Sequence, residues 1–197
     1  MIETILVVIL AGGEGRRIGG GKPERRLAGK ALLEHAIAKA ASYSQAVAIS
    51  AGMGAHLPRG DYTIIHDQGD VQGPIAGLMA ALKFALAQGS DHVLIIPCDT
   101  PFLPEDLPQR LDEALGDANA AVARCAEQLH SACSLWRTEA GDLLPEYLAQ
   151  GRRSLIGFAE MAGYVAVDWP SSDADRFMNI NTADDLSRAE QMFARMS

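Results

Sequence analysis

A chain of 197 residues with 48% hydrophobic and 21% charged content is long enough to bury a core without disulfide or metal staples. Its net charge of −8, from 17 Lys plus Arg against 25 Asp plus Glu, argues against non-specific binding to nucleic acid or to an anionic membrane. Any site for an anion must therefore be a local concentration of positive charge.

The opening run Ile5 to Leu10 is apolar, rich in β-branched residues and followed by Gly12-Gly13. It predicts a strand buried on both faces, as in the centre of a parallel sheet. The run lacks a basic leader, so a signal peptide is not expected, and no apolar stretch is long enough for a membrane span. A loop is expected to about Lys30. Leu32, Leu33, Ala36, Ile37 and Ala40 then share one helical face, predicting a helix over Ala31 to Tyr43. Short strands are expected at Ala46 to Ser50 and Tyr62 to His66. Pro74 opens the next helix, where its missing N–H costs nothing. Ile75, Leu78, Met79, Leu82 and Leu86 should line the buried face of that helix, and Gln88-Gly89-Ser90 should end it. His92 to Pro97 reads as a second all-apolar strand. The rest reads as a helix from Pro104 to about Leu115, strands at Ala120 to Arg124 and Ser131 to Arg137, helices at Glu139 to Ala149 and Leu155 to Ala162, and a strand at Tyr164 to Trp169. Thr182 should cap a final helix carrying Asp184-Asp185 in its first turn.

Alternating strands and helices predict a three-layer α/β/α architecture with a mostly parallel, Rossmann-like sheet, in one domain spanning residues 1–197. Ligands of such sheets bind at the carboxyl ends of the strands, which directs attention to Ala11 onward and Cys98 onward. Cys98, Cys125 and Cys133 are too sparse for a disulfide framework or a zinc site; they read as buried thiols in a reducing cytoplasm.

Between Leu10 and Pro23 there are six glycines, and Arg16, Arg17, Lys22, Arg25 and Arg26 fall within 11 positions, where an even spread would put about one cation. Glycines let backbone N–H groups approach a ligand closely, and clustered cations suit a polyphosphate. A P-loop is excluded, because Arg16 stands where its first glycine belongs and Pro23 follows the lysine. A dinucleotide fingerprint is excluded by Ile18 at its third glycine. A solvated surface loop is the plainer alternative. A lone Asp such as Asp99 could simply cap the next turn, but its place at the end of the second apolar strand favours a hard oxygen ligand suited to Mg²⁺. Asp67, after a shorter strand, is read two ways: a turn cap, or an acceptor for an amide-like base edge such as that of guanine.

The loop Leu10-Ala11-Gly12-Gly13-Glu14-Gly15-Arg16-Arg17-Ile18-Gly19-Gly20-Gly21-Lys22 resembles the signature of the molybdenum cofactor guanylyltransferases. Gly73-Pro74-Ile75-Ala76-Gly77-Leu78, Cys98-Asp99-Thr100-Pro101 and Asn179-Ile180-Asn181-Thr182-Ala183-Asp184-Asp185-Leu186 are similar to later segments of that family, in the same order. The resemblance implies a nucleotidyltransferase that joins GTP to molybdopterin. It implies backbone contacts to nucleotide from Leu10, Ala11, Gly12 and Gly13, phosphate binding by Lys22, guanine binding by Asp67, and nucleotide and Mg²⁺ binding by Asp99. Lys22, Arg16 and Asp99 are the catalytic candidates. Arg152, Arg153, Asn179 and Asn181 are candidates for the acceptor; His130, just before a strand, could touch substrate but as a lone histidine is read as structural. Gly12, where cytidylyl-transferring relatives tend to have alanine, favours GTP. The departures are Gly21 for Asp, Ile18 for Met, Ala183 for Pro, and Ser50 at a nucleotide-contacting position where the family often has Asn. The rival readings are a CTP-dependent or other small-substrate nucleotidyltransferase, and a silent binding module. Hand-off of a labile product implies transient contacts with other proteins of the cofactor pathway.

Overall fold

The computed structural model describes residues 5–11, 25–52, 57, 60, 62–66 and 71–196. Gly12, Gly13, Arg16, Lys22 and Asp67 lie outside the described residues.

The strands are β1 (Leu6–Leu10), β2 (Arg26–Leu27), β3 (Lys30–Ala31), β4 (Val47–Ala51), β5 (Thr63–His66), β6 (His92–Pro97), β7 (Ala120–Cys125), β8 (Gln128–Arg137) and β9 (Tyr164–Trp169). The α-helices are α1 (Leu32–Tyr43), α2 (Pro74–Ala87), α3 (Leu107–Leu115), α4 (Leu144–Ala149), α5 (Leu155–Ala162) and α6 (Ala183–Met196). Seven strands form one sheet in the order β5-β4-β1-β6-β8-β7-β9. Only β8 runs against its neighbours; the other pairings are parallel, as the alternating pattern predicts.

β1 and β6 sit centrally, and this explains their unbroken apolar runs. Val7, Ile9, Leu94 and Ile96 face a core closed by α1 and α3. Leu6, Val8, Leu10, Val93 and Ile95 face the opposite core, closed by α2, α4 and α5. A strand buried on both faces cannot alternate apolar with polar residues, and these do not. A third, smaller cluster seats Ala189 of α6 with Leu27, Leu32, Phe102 and Ile180. That cluster draws the C-terminal segment back beside β6.

Several boundaries differ from expectation. The segment before α1 contains the β2–β3 hairpin, turned by Ala28 and Gly29 at positive φ. The helix expected from Pro104 begins at Leu107. Glu139 to Ala149 is a 3-10 helix, Thr138–Leu143, followed by α4, because Pro145 cannot donate a backbone hydrogen bond within a continuous helix. Leu86 was expected in the buried face of α2 but is 69% exposed. α2 bears on the sheet through Ile75, Leu78, Ala81, Leu82 and Ala85, and Leu86 lies off that stripe. Among the described residues, no helix is long and apolar enough to cross a membrane.

Candidate active site

Leu10 is in register with Ser50 of β4 on one side and Pro97 of β6 on the other. The backbone continues this alignment past the strand ends: Ala11 N–H donates to the Ser50 carbonyl at 2.8 Å, and Cys98 N–H donates to the Leu10 carbonyl at 3.3 Å. Ala11 and the Cys98-Asp99 segment therefore lie side by side at the carboxyl edge of the sheet. α2 closes the other side. Gly73, at φ 85°, turns the chain into the helix, and Gly77 packs directly on the strand ends. A Cβ at Gly77 would stand 2.8 Å from Leu10 Cδ2 and 3.3 Å from Ser50 Oγ. The Ser50 side chain is thus enclosed beneath the helix, with 1% exposure.

Asp99 is buried to 8% exposure at the end of β6. Its carbonyl accepts from Ile180 N–H at 2.9 Å. The next residue, buried Thr100, donates its hydroxyl to Asn179 Oδ1 at 2.6 Å. Residues about 80 positions apart are thereby joined, and Asn179 and Asn181 come to the same edge as Asp99. Arg25, from the basic cluster, reaches the same place: its Nη1 donates to the Asn181 carbonyl at 2.9 Å. The start of α6 fixes this segment. Asp185 Oδ2 accepts from the backbone of Asn181 at 2.9 Å and of Thr182 at 2.8 Å, and Asp185 N–H donates to Thr182 Oγ1 at 3.1 Å. The Thr182 backbone bond leads the interactions that hold the Asp185 carboxyl below its ordinary pKa.

Arg152 and Arg153 precede α5. The end of α5 is tied to the start of β7, since Asn119 donates to the carbonyls of Ala162 at 2.6 Å and Gly163 at 3.0 Å. Its beginning therefore lies toward the carboxyl edge. Both guanidinium groups are bound within their own segment. Arg152 lies 4.7 Å over the Tyr147 ring and donates to the Gly157 carbonyl at 3.1 Å. Arg153 donates to the carbonyls of Leu148 at 2.9 Å and Arg152 at 2.7 Å. Neither is joined to Asp99 by a described contact.

β8 carries a register shift beside the site. Val122 pairs with Ser134, but Ala123 pairs with His130, so Ser131 to Cys133 bulge from the ladder. Burial, and secondarily the Asp99 carboxylate, push the Cys133 thiol well above its ordinary pKa. All three cysteines are buried thiols. Thr100, Gly77 and the bulge were not singled out from sequence. Gly77 had a signal, a glycine inside an apolar helix, which usually marks close packing. Thr100 lies in a segment that carries the family resemblance but was given no role, and the bulge had no signal.

Among the described residues, no group of three or more His, Cys, Asp or Glu could cage a metal. A single buried carboxylate at the strand edge fits Mg²⁺, which commonly takes one or two carboxylates and completes its shell with water and substrate phosphates.

Residues 7–163 match the family described as the MobA-like NTP transferase domain. The molybdenum cofactor guanylyltransferase of Cereibacter sphaeroides is 37% identical over 190 residues, covering 95% of this chain and 96% of that protein. That of Acidiphilium cryptum is 40% identical over 187 residues, covering 93% and 92%. The crystal structure of molybdopterin-guanine dinucleotide biosynthesis protein A from Archaeoglobus fulgidus superposes with a TM-score of 0.78 at 26% identity, covering 98% of this chain and 100% of that one. The strand edge that gathers Leu10, Asp99 and Asn179 thus lies in a chain that belongs to the molybdenum cofactor guanylyltransferases of the MobA-like NTP transferase family.

Proposed function

We propose that this chain transfers GMP from GTP to the terminal phosphate of molybdopterin, releasing pyrophosphate and forming the guanine dinucleotide cofactor. The observation that carries this reading is the junction at the carboxyl edge, where buried Asp99 meets the Asn179–Asn181 segment beside the root of the glycine-rich loop. The identity to named guanylyltransferases over about 95% of the chain supports it.

The acceptor phosphate needs no general base. A phosphate monoester has a second pKa of about 6 and is largely dianionic at neutral pH. One of its oxygens attacks the α-phosphorus of GTP in line, a P–O bond forms, and the bond to the β-phosphate oxygen breaks with its electron pair leaving on pyrophosphate. The protein must align two polyanions and offset their charge. Lys22 and Arg16 supply positive charge to the phosphates, backbone groups of Leu10 to Gly13 cradle the nucleotide, and Asp67 accepts from the guanine edge. Ser50 shapes the floor of the nucleotide site from beneath α2. Asp99 holds Mg²⁺, which when bound neutralises phosphate charge. Arg152, Arg153, Asn179 and Asn181 serve the acceptor side. The reading places the protein in the cytoplasm as a single catalytic domain over residues 1–197, with transient contacts to other proteins of the cofactor pathway and none to nucleic acid or membrane.

Thermal unfolding with GTP, CTP, ATP or UTP plus Mg²⁺, together with detection of the dinucleotide product, tests the proposal. Stabilisation selective for GTP and product from GTP are expected. Selectivity for CTP would move the activity to cytidylyl transfer, and no response to any nucleotide would replace it with a binding role. Lys22→Ala should keep the fold and lose about 10²–10³ in turnover.

A further inference from the structure

Ser134 is the polar exception in a buried stretch of β8. It stands before Leu135 and Trp136, and all three are fully enclosed. A buried hydroxyl is costly unless its proton and its lone pairs are both used. Here both are. The Ser134 hydroxyl donates to the Ser131 carbonyl at 2.8 Å and accepts from Trp136 Nε1–H at 2.8 Å. Trp136 is itself fixed, because its ring stacks on buried Phe158 with centroids 5.2 Å apart and planes 14° apart.

The position of Ser134 in the sheet gives these bonds a use. It is the last residue of β8 before the register shift, paired with Ile95 of β6 and Val122 of β7. A bulge takes backbone groups out of the ladder, and they need other partners. Ser134 supplies one by reaching back three residues to the Ser131 carbonyl. Cys133, one of the two residues this bond spans, faces the other side of the sheet. Trp136 lies in the core closed by α2, α4 and α5, whereas Cys133 lies with Ile96 and Cys98 in the core closed by α1 and α3. Cys98 adjoins Asp99, and the Cys133 thiol is within electrostatic reach of the Asp99 carboxylate. The bulge is therefore a wall beside Asp99, and it is pinned from the opposite face of the sheet.

We propose that Ser134 is a positioning residue for GMP transfer: by holding the Ser131 carbonyl it keeps Cys133 packed against Asp99 and fixes where that carboxylate stands at the strand edge. The inference rests on the guanylyl-transfer reading with Asp99 in the site. It adds a fully buried residue that acts through the backbone of the bulge.

Two variants of the full chain separate this role from plain stability. Ser134→Ala removes the hydroxyl. Trp136→Phe removes the indole N–H but keeps a ring against Phe158 and leaves the Ser134 bond to Ser131 in place. Each should lower the melting temperature by about 3–8 °C. Only Ser134→Ala releases the bulge. A shift of 1 Å in a catalytic group costs about 10²-fold, so a smaller shift of Asp99 predicts a fall in kcat of about tenfold in Ser134→Ala, with Trp136→Phe within about twofold of the parent. A second measurement needs no substrate. Cys133 and Cys125 are equally buried, each 2% exposed, so native-state labelling with a thiol reagent compares them within one molecule. Local release of the bulge should raise labelling of Cys133 about tenfold relative to Cys125 in Ser134→Ala, and Trp136→Phe should leave the ratio unchanged. Equal falls in kcat in the two variants, or a labelling ratio unmoved by Ser134→Ala, would overturn the positioning role. Absence of GMP transfer by the unmodified protein overturns the guanylyl reading instead, a failure to which the labelling ratio is blind.

Discussion

Replacing Gly77 with alanine sets two opposing effects against each other. Alanine in a helix interior is favoured over glycine by about 1 kcal/mol. Against that, the new methyl would stand 2.8 Å from Leu10 Cδ2 and 3.3 Å from Ser50 Oγ. Ordinary carbon contacts are about 3.5–4.0 Å, so Leu10 must yield by about 1 Å. It has little room, being buried in the core that α2 closes. Overpacking of this kind costs about 1–3 kcal/mol, leaving a net loss of about 1 kcal/mol and a melting temperature lower by about 2–4 °C. The functional effect should exceed the stability effect. Leu10 leads into the loop proposed to hold the nucleotide, so its displacement should raise the KM for GTP several-fold. Gly141→Ala is the control, since its nearest neighbour would be Leu82 Cβ at 3.7 Å, an ordinary contact. Thermal unfolding and GTP-dependent kinetics on both variants decide the matter. A Gly77→Ala protein as stable as its parent, with an unchanged KM for GTP, would show that close approach of α2 does not set the position of Leu10.

Thr182→Ala removes the side-chain oxygen that accepts from Asp185 N–H and should cost about 1 kcal/mol in chemical denaturation. The folded pKa of Asp185 is depressed, so the stabilisation from its carboxylate is complete above the unfolded pKa of about 3.9 and is lost as pH falls through the lower folded value. The stability gap between the unmodified protein and Asp185→Asn should therefore be full at neutral pH and shrink below about pH 4; a gap that grows in acid contradicts the capping role. Thr100→Val leaves Asn179 Oδ1 without its donor and should cost about 1–3 kcal/mol, with product formation reduced and restored by Thr100→Ser. A Thr100→Val protein with full activity would show that the Asn179 orientation is immaterial.

Sequence alone determined the layered architecture and pointed to the edge where the chemistry is proposed. Two strands buried on both faces must be apolar throughout, so Leu6–Leu10 and His92–Pro97 announce themselves as central, and parallel sheets bind ligands where such strands end. The cap at Thr182 was legible because capping is local chemistry, decided within four residues. Tertiary structure alone decided three other things. β7 turns into β8 through Ala126 and Glu127, both at positive φ, without the Asn-Gly or Asp-Gly that usually signals such a hairpin. Packing of the two strands in the sheet compensates the local strain, and no local pattern records that. Leu86 has the helical spacing of a core residue, but the sheet beneath α2 extends only under the adjacent stripe. The pairing of Thr100 with Asn179, and of His130 with Phe177, joins residues whose separation in sequence carries no periodic signal. Such contacts follow from where α6 docks and where β8 bulges, which are properties of the packed whole.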